Sequence, residues 1–433
     1  MTYLGTNRST HRHIRRARTV IAALALVWLF MCAVASPASA RTTQDEHLRA
    51  SLITCWPGSE VYELCGHEAL RIQDEYTDSV WNYGVFDFHE PNFIYRFVKG
   101  ETDYLLAGYP FAWFMPEYIG QRRRVVEQEL NLTPEEVGRL RSMLQEEALP
   151  ENRRYRYNYV KDNCATRILD RIDSVAGGPV IYSDSISYGT FRTEMRHYHK
   201  NYPWYQFGID LALGSGLDYT LKGKEEMFVP MEMMRKASTA RLPDGRPLIR
   251  ATRVLNEGSE DATLGPTSPL LTPLAATIAL AAVSLFVATI DCIRRNVTRW
   301  FYSLFYLIIG AIGCVSFFLV FFSSHEATSP NILVLWLNPL QLIAAVCLWW
   351  RVTRPAALAV AYYDIVAVSC MLIVWPFQHQ VANPAIFPLA AATVVLSISY
   401  AINSRRNSYK FTGQLPSSAP RRGRKGKSGR RTK

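Results

Sequence analysis

The chain has 433 residues, enough for two or three domains. Its 48 basic and 37 acidic side chains give a formal net charge of +11, but residues 403–433 hold 11 of the bases and no acid. The rest of the chain is therefore formally neutral. A nucleic-acid-binding protein spreads basic side chains over a folded face, so this pattern excludes a nucleic-acid partner. A basic tail beside apolar spans is typical of contact with anionic lipid headgroups, or of a topology signal.

The N-terminus has the three parts of an export signal. Residues 8–18 include five arginines, residues 19–35 are apolar, and residues 38–40 form an A-x-A cleavage pattern. We predict a signal peptide, or an uncleaved anchor, over residues 1–40. Either one places the following segment outside the cytoplasm.

Five apolar segments near the C-terminus are long enough to cross a bilayer, which needs about 20 residues. They lie at 270–290, 302–322, 332–350, 357–376 and 384–402. The loops at 294–300 and 351–355 are basic, whereas those at 323–331 and 376–384 have no Lys or Arg. Since basic loops stay in the cytoplasm, we predict an inner (cytoplasmic) membrane protein with a periplasmic domain and a cytoplasmic tail.

The exported part is predicted to be α+β, over residues 41–240. Strands are expected at 79–88, 102–111 and 123–132, and a helix at 133–149, where Thr133, Pro134 and Glu136 give start signals. The aromatic stretch 109–120 suits either core packing or the membrane interface. His197 and His199, in "RHYHK", are expected on a solvated surface. Residues 241–268 are predicted to be a linker, 269–402 the membrane domain and 403–433 a tail.

Cys164 occurs in "KDNCATRILD" (161–170), where a helix is predicted to begin. Asp162 or Asn163 can cap that helix, and Cys164 then lies in its first turn, where free N–H groups stabilise a thiolate. Position alone leaves a packed structural thiol and a nucleophile both open. Cys55 and Cys65 are close enough in sequence to form a disulfide, which would leave Cys164 unpaired.

Four blocks occur in order along the exported part, at 57–72, 81–88, 157–173 and 207–230. They read "PGSEVYELCGHEALRI", "WNYGVFDF", "YNYVKDNCATRILDRID" and "FGIDLALGSGLDYTLKGKEEMFVP". Together they resemble the Lnb-type bacterial lipoprotein N-acyltransferases, and "HEATSPNILVLWLNPLQLI" (325–343) resembles the membrane domain of that family. The resemblance implies a circularly permuted papain-like (NlpC-type) exported domain, followed by a bundle of five transmembrane helices.

The resemblance also implies the chemistry. Cys164 would be the nucleophile and His67 its base, with Asn82 as the candidate that orients His67. An acyl chain would move from a phospholipid to Cys164 as a thioester, and then to the amine of a diacylated lipoprotein. No cofactor and no metal site are expected. Candidate substrate-binding residues are Arg71, Asn163, Thr166, Arg167, His325 and Asn331. The alternatives are a membrane-tethered NlpC-like peptidase or amidase acting on cell-wall peptides, and a non-enzymatic scaffold.

Overall fold

The structure is a computed structural model, described over residues 47–86, 91–182, 189–259 and 262–412. The predicted signal segment at 1–40 and the tail beyond residue 412 lie outside these ranges.

One antiparallel sheet organises the exported domain. Within the described residues it has seven strands in the order β6-β4-β3-β2-β1-β5-β7. They are β1 (Arg49–Cys55), β2 (His67–Gln73), β3 (Asp78–Val85), β4 (Asp103–Pro110), β5 (Val125–Leu130), β6 (Arg154–Arg156) and β7 (Ile249–Asn256). The three predicted strands are confirmed as β3, β4 and β5.

β7 lies where a linker was expected. It pairs with β5 from Leu130↔Ile249 to Val125↔Asn256 and forms one edge of the sheet. Most of its side chains are exposed or half-buried, so the apolar alternation that marks a strand is missing from the sequence. β7 pairs with a strand more than a hundred residues earlier, so no local sequence pattern predicts this pairing.

Seven α-helices surround the sheet in the described part of the exported domain. They are α1 (Phe93–Lys99), α2 (Phe111–Gly120), α3 (Pro134–Glu147), α4 (Cys164–Val175), α5 (Phe191–Tyr198), α6 (Pro203–Ala212) and α7 (Pro230–Ala237). The start of α3 is confirmed, because Thr133 and Glu136 form a reciprocal capping box. This arrangement is an α+β domain.

Helices cover both faces of the sheet. The face that carries Leu52 and Leu70 packs against α3 and α4, and the opposite face, with Ile53 and Ala69, packs against Phe114 of α2. Each fully buried Leu or Ile contributes about 1.5–3 kcal/mol. The aromatic stretch 109–120 contributes Phe114 and Tyr118 to this core, whereas its Trp113 is 73% exposed, so contact with the membrane interface stays a prediction.

Four helices in the described part of the membrane domain are long and apolar enough to cross a bilayer. They are α8 (Pro273–Arg294), α9 (Arg299–Phe321), α11 (Arg354–Val374) and α12 (Ile386–Thr412). The expected span at 332–350 is instead a 3₁₀ turn (Ile332–Leu335) followed by the short helix α10 (Leu340–Cys347). The count of five spanning helices is therefore not confirmed.

A local cause explains the interruption before α10. Pro339 has no N–H to continue a helix. The Asn338 amide donates to the carbonyls of Val334 and Leu335, and its oxygen accepts from Leu340 N. These bonds satisfy backbone groups that a continuous helix would have paired internally.

The exported domain rests on the bundle through a contact that we call the domain–bundle seam. It joins residues 207–215 to residues 327–331 and 380–383. Gly214 N donates to Ala327 O at 2.9 Å, and Ser215 N donates to Pro330 O at 2.8 Å. A Cβ at Gly214 would lie 2.3 Å from Pro330 O, so the close approach of the two chains requires glycine there.

Side chains reinforce the seam. Asn331 Nδ2 donates to Leu211 O at 3.0 Å, and Asn383 Nδ2 donates to Asp210 Oδ2 at 2.8 Å. Phe207 and Leu211 of α6 belong to the apolar core of the bundle. Two folding units are thereby held together by both polar and apolar contacts.

Candidate active site

Cys164 is the first residue of α4, and its neighbour Asn163 fixes where the helix begins. Asn163 Oδ1 accepts from the N–H groups of Ala165 and Thr166, each at 3.0 Å. Its Nδ2 donates to Tyr159 O at 2.9 Å and to Phe228 O at 2.8 Å. Asn163 is 4% exposed, so these four bonds hold the cap rigidly.

Backbone N–H groups of Glu68, Ala165 and Cys164 itself lie near the Cys164 sulfur. Burial raises the pKa of Cys164 to about 11, although the N–H groups of Glu68, Ala165 and Cys164 itself oppose that rise. The Glu68 carboxyl accepts from Thr54 Oγ1 at 2.9 Å, and burial raises its pKa well above the usual value. The resting thiol is therefore neutral, and it sits where N–H donors can stabilise an oxyanion.

His67, the first residue of β2, contacts Asn82 of β3. The distance from His67 Nε2 to Asn82 Oδ1 is 2.8 Å, and Asn82 Nδ2 lies 2.6 Å from Tyr109 Oη. Because an amide oxygen can only accept, His67 Nε2 carries the proton and Nδ1 has the free lone pair. Burial lowers the pKa of His67 to about 4, the bond to Asn82 partly offsets this, and the Arg123 charge lowers it further.

The sulfur and the imidazole both lie at the start of β2. The ladder between β2 and β3 runs from Leu70 to Gln73, so the Glu68 amide beyond its end is available to Cys164. Alternation along β2 puts His67 on the face covered by α2, whereas α4 covers the opposite face. Within the described residues, no hydrogen bond joins Cys164 Sγ to His67.

A second thiol–imidazole pair was missed by the sequence reasoning. Cys65 Sγ lies 3.3 Å from Tyr159 Oη and 3.9 Å from His199 Nε2, and His199 Nδ1 lies 2.8 Å from Gln206 Oε1. His199 is 1% exposed, so the prediction that it is solvated is wrong. The cause is α6, which covers it with Gln206 and Tyr205. The polar residues of "RHYHK" contain no local pattern that predicts this burial.

Cys164 remains the better nucleophile candidate of the two thiols. Cys164 lies in the first turn of a helix, whereas Cys65 ends a short turn before β2. Cys55 and Cys65 are both free thiols, so the suggested disulfide between them is absent from the structure.

Two predicted substrate-binding arginines are engaged in internal contacts. Arg71 forms ion pairs with Asp78 at 2.6 Å and Glu127 at 3.0 Å. Arg167 is bound to Asp162 through both Nε (2.6 Å) and Nη2 (2.9 Å). These bonds give both arginines a structural role, and their contact with substrate stays a prediction.

The other candidates also make framework contacts. Thr166 completes the capping box of α4 with Asn163. His325 Nε2 donates to Phe97 O at 2.8 Å, and Asn331 belongs to the seam. The structure therefore brings together Cys164, Asn163 and Thr166 at the start of α4, and separately joins His67 to Asn82 on the face of the sheet covered by α2. It places His325 and Asn331 at the membrane domain instead.

Comparison with protein families agrees with this architecture. The Lnb N-terminal periplasmic domain matches residues 35–193, and the Lnb transmembrane domain matches residues 266–408. The chain belongs to the Lnb-type proteins. It is thus a membrane protein with a periplasmic domain and transmembrane helices. No curated protein and no solved structure matches the chain, so the permuted papain-like fold of this Lnb-type protein stays a prediction.

Proposed function

We propose that this Lnb-type protein is a lipoprotein N-acyltransferase that carries the acyl group on Cys164. The observation that supports it most is the placement of a thiol at the N-terminus of α4, among the N–H groups of Glu68, Cys164 and Ala165. A tetrahedral oxyanion formed at that thiol meets preorganised donors. The seam holds this site beside a membrane bundle, where both lipid substrates reside.

The first half-reaction forms a thioester. Cys164 Sγ attacks an ester carbonyl of a phospholipid, and His67 Nδ1 takes the thiol proton. The bond between the carbonyl carbon and the glycerol oxygen breaks, and the proton passes to that oxygen. The products are a lysophospholipid and an acyl-enzyme.

The second half-reaction forms an amide. The N-terminal amine of a diacylated lipoprotein attacks the thioester, the carbon–sulfur bond breaks, and His67 moves the amine proton to the sulfur. The pKa values of about 11 for Cys164 and about 4 for His67 make the resting pair neutral. Deprotonation therefore accompanies attack. Because His67 lies on the α2 face of β2 and, in the part of the chain that the structure describes, makes no hydrogen bond to Cys164 Sγ, its role as base requires the imidazole to move around the start of β2 when substrate binds.

The test is mass spectrometry of the full-length protein in phospholipid vesicles. We expect a fatty-acyl thioester on the peptide that contains Cys164. The variants Cys164→Ala and His67→Ala should lose it at unchanged protein level, and the matched thiol control Cys65→Ala should keep it.

A second measurement compares lipoprotein N-termini in cells with and without the protein. Triacylated N-termini that depend on the protein support the proposal. Unchanged N-termini together with cleavage of cell-wall peptide would favour the peptidase alternative. Full activity of Cys164→Ala would favour the scaffold.

A further inference from the structure

An apolar groove opens between α1 of the exported domain and the end of α9 nearest to that domain. Its volume is 740 Å³, and its lining includes Phe93, Ile94, Tyr95 and Val98 of α1 with Val315 and Phe318 of α9. Because α9 is a candidate membrane span, this groove is reached from the hydrocarbon region of a bilayer.

The helix α1 has the character of a membrane-interface element. None of its residues is buried, and Ile94 is 77% exposed, Tyr95 56% and Phe97 49%. The Tyr95 ring lies 6.3 Å from that of Phe318 in α9. An exposed apolar patch beside the end of a span is stable when lipid covers it.

Hydrogen bonds fix the position of α1 beside α9. Ser324 N donates to Lys99 O at 2.7 Å, and His325 Nε2 donates to Phe97 O at 2.8 Å. Both bonds tie the last turn of α1 to the loop that follows α9. The groove is thus preformed, as small-molecule sites usually are.

A series of aromatic rings leads from the groove toward the thiol. Phe93 stacks on Phe86 at 5.8 Å, Phe86 lies 5.2 Å from Tyr104, and Tyr104 stacks on Tyr157 at 4.2 Å. We call these four residues the ring series.

The far end of the ring series lies beside Cys164. An antiparallel bridge between Asn158 and Asp162 places Tyr157 opposite Asn163, the residue that precedes Cys164. Burial raises the pKa of Tyr157 well above its usual value, and the Cys164 thiol raises it further, which agrees with this proximity.

We propose that the groove binds one acyl chain of a bilayer phospholipid, and that the ring series guides this chain to Cys164. The inference rests on the acyl-transfer function for the role of the bound chain. Along this path the acyl chain of the phospholipid stays in apolar surroundings from the bilayer to the thiol. The ester carbonyl of the phospholipid therefore reaches Cys164 without passing through water. The aromatic faces offer broad apolar contact without a fixed register.

The experiment uses the full-length protein in vesicles of phosphatidylethanolamine and phosphatidylglycerol. These contain a phosphatidylethanolamine with a diazirine in one acyl chain. Val315→Trp fills the groove, and Val366→Trp is the matched control, because Val366 is a valine of similar exposure on α11 (61%, against 55% for Val315). Ile94→Trp is a second variant, at an exposed position where a larger ring disturbs no core.

We expect photo-crosslinks in wild type to concentrate at 93–98 and 314–318. They should fall about tenfold in Val315→Trp and Ile94→Trp, a loss of about 1.4 kcal/mol in binding, with little change in Val366→Trp. Acyl thioester on Cys164 should fall in the same two variants. Crosslinks spread evenly over all lipid-facing positions would overturn the inference, as would equal acylation of Val315→Trp and Val366→Trp.

The two proposals fail in different ways. If wild type crosslinks in the groove but forms no thioester, the acyl-transfer function falls and lipid binding in the groove stands. If wild type forms the thioester and both groove variants form it equally fast, the groove inference falls and the function stands.

Discussion

Replacing Asn82 tests how the imidazole is held. Asn82 is 2% exposed, and its Oδ1 is 2.8 Å from His67 Nε2. In Asn82→Ala the buried Nε2–H loses its acceptor, which costs about 1–3 kcal/mol. If this free energy is lost from the stability of the productive orientation of His67, thioester formation on Cys164 slows by about 5- to 150-fold.

Asn82→Asp restores the acceptor and adds a charge. A carboxylate at this distance raises the pKa of a histidine by about 1–3 units, from the wild-type value of about 4. Only neutral His67 can take the thiol proton. The acid limb of the rate profile therefore moves to higher pH by the same amount: Asn82→Asp is impaired in mild acid and recovers above neutrality.

The assay is the rate of acyl-thioester formation between about pH 4 and about pH 9, for wild type, both variants and Asn131→Asp. Asn131 follows β5, so the control adds the same charge to the same sheet, away from His67. If Asn82→Asp and Asn131→Asp give superimposable profiles, or if Asn82→Ala is fully active, Asn82 does not position His67.

Three further predictions concern stability and the second thiol. Asn163→Ala should lower the free energy of unfolding by about 3–5 kcal/mol, because it removes a cap and leaves two carbonyls unpaired. The control Thr133→Ala, which removes the cap of α3, should cost about 1 kcal/mol. Equal losses of stability for the two variants in thermal melts would contradict this prediction. Arg192→Ala should lower the free energy of unfolding by about 3–5 kcal/mol, because it removes the cation that pairs with the buried Asp218 carboxylate, whereas Asp210 keeps Arg196 and Asn383. The exposed Arg235→Ala should cost less than about 1 kcal/mol. Cys65→Ala should keep the rate of lipoprotein acylation within about twofold of wild type, and a loss equal to that of a Cys164 variant would move the nucleophile to Cys65.

Local signals made part of this structure predictable. The starts of α3 and α4 depend on Thr133 and Asn163, whose caps act within three residues, so the sequence shows them directly. The contact of His67 with Asn82 was expected from family resemblance and is present, although its catalytic role stays a prediction.

The features that were missed depend on distant contacts. His199 is buried because α6 folds back over it, and its own neighbours are polar. β7 acquires its strand geometry only from β5. The apolar run at 332–350 has the composition of a span, yet Asn338 and Pro339 interrupt it through bonds to carbonyls that composition cannot reveal.

The domain–bundle seam has a consequence for how the chain tolerates mutation. Hydrogen bonds from Gly214 and Ser215 tie the exported domain to the loop after α9, so they fix the position of the domain relative to the bundle. Any side chain at Gly214 would collide with Pro330 O, and we expect the exported domain to be displaced from the bundle as a result. Such a variant would keep every residue of the candidate site intact, yet under the proposed function it would slow thioester formation, because the thiol would move relative to the bundle.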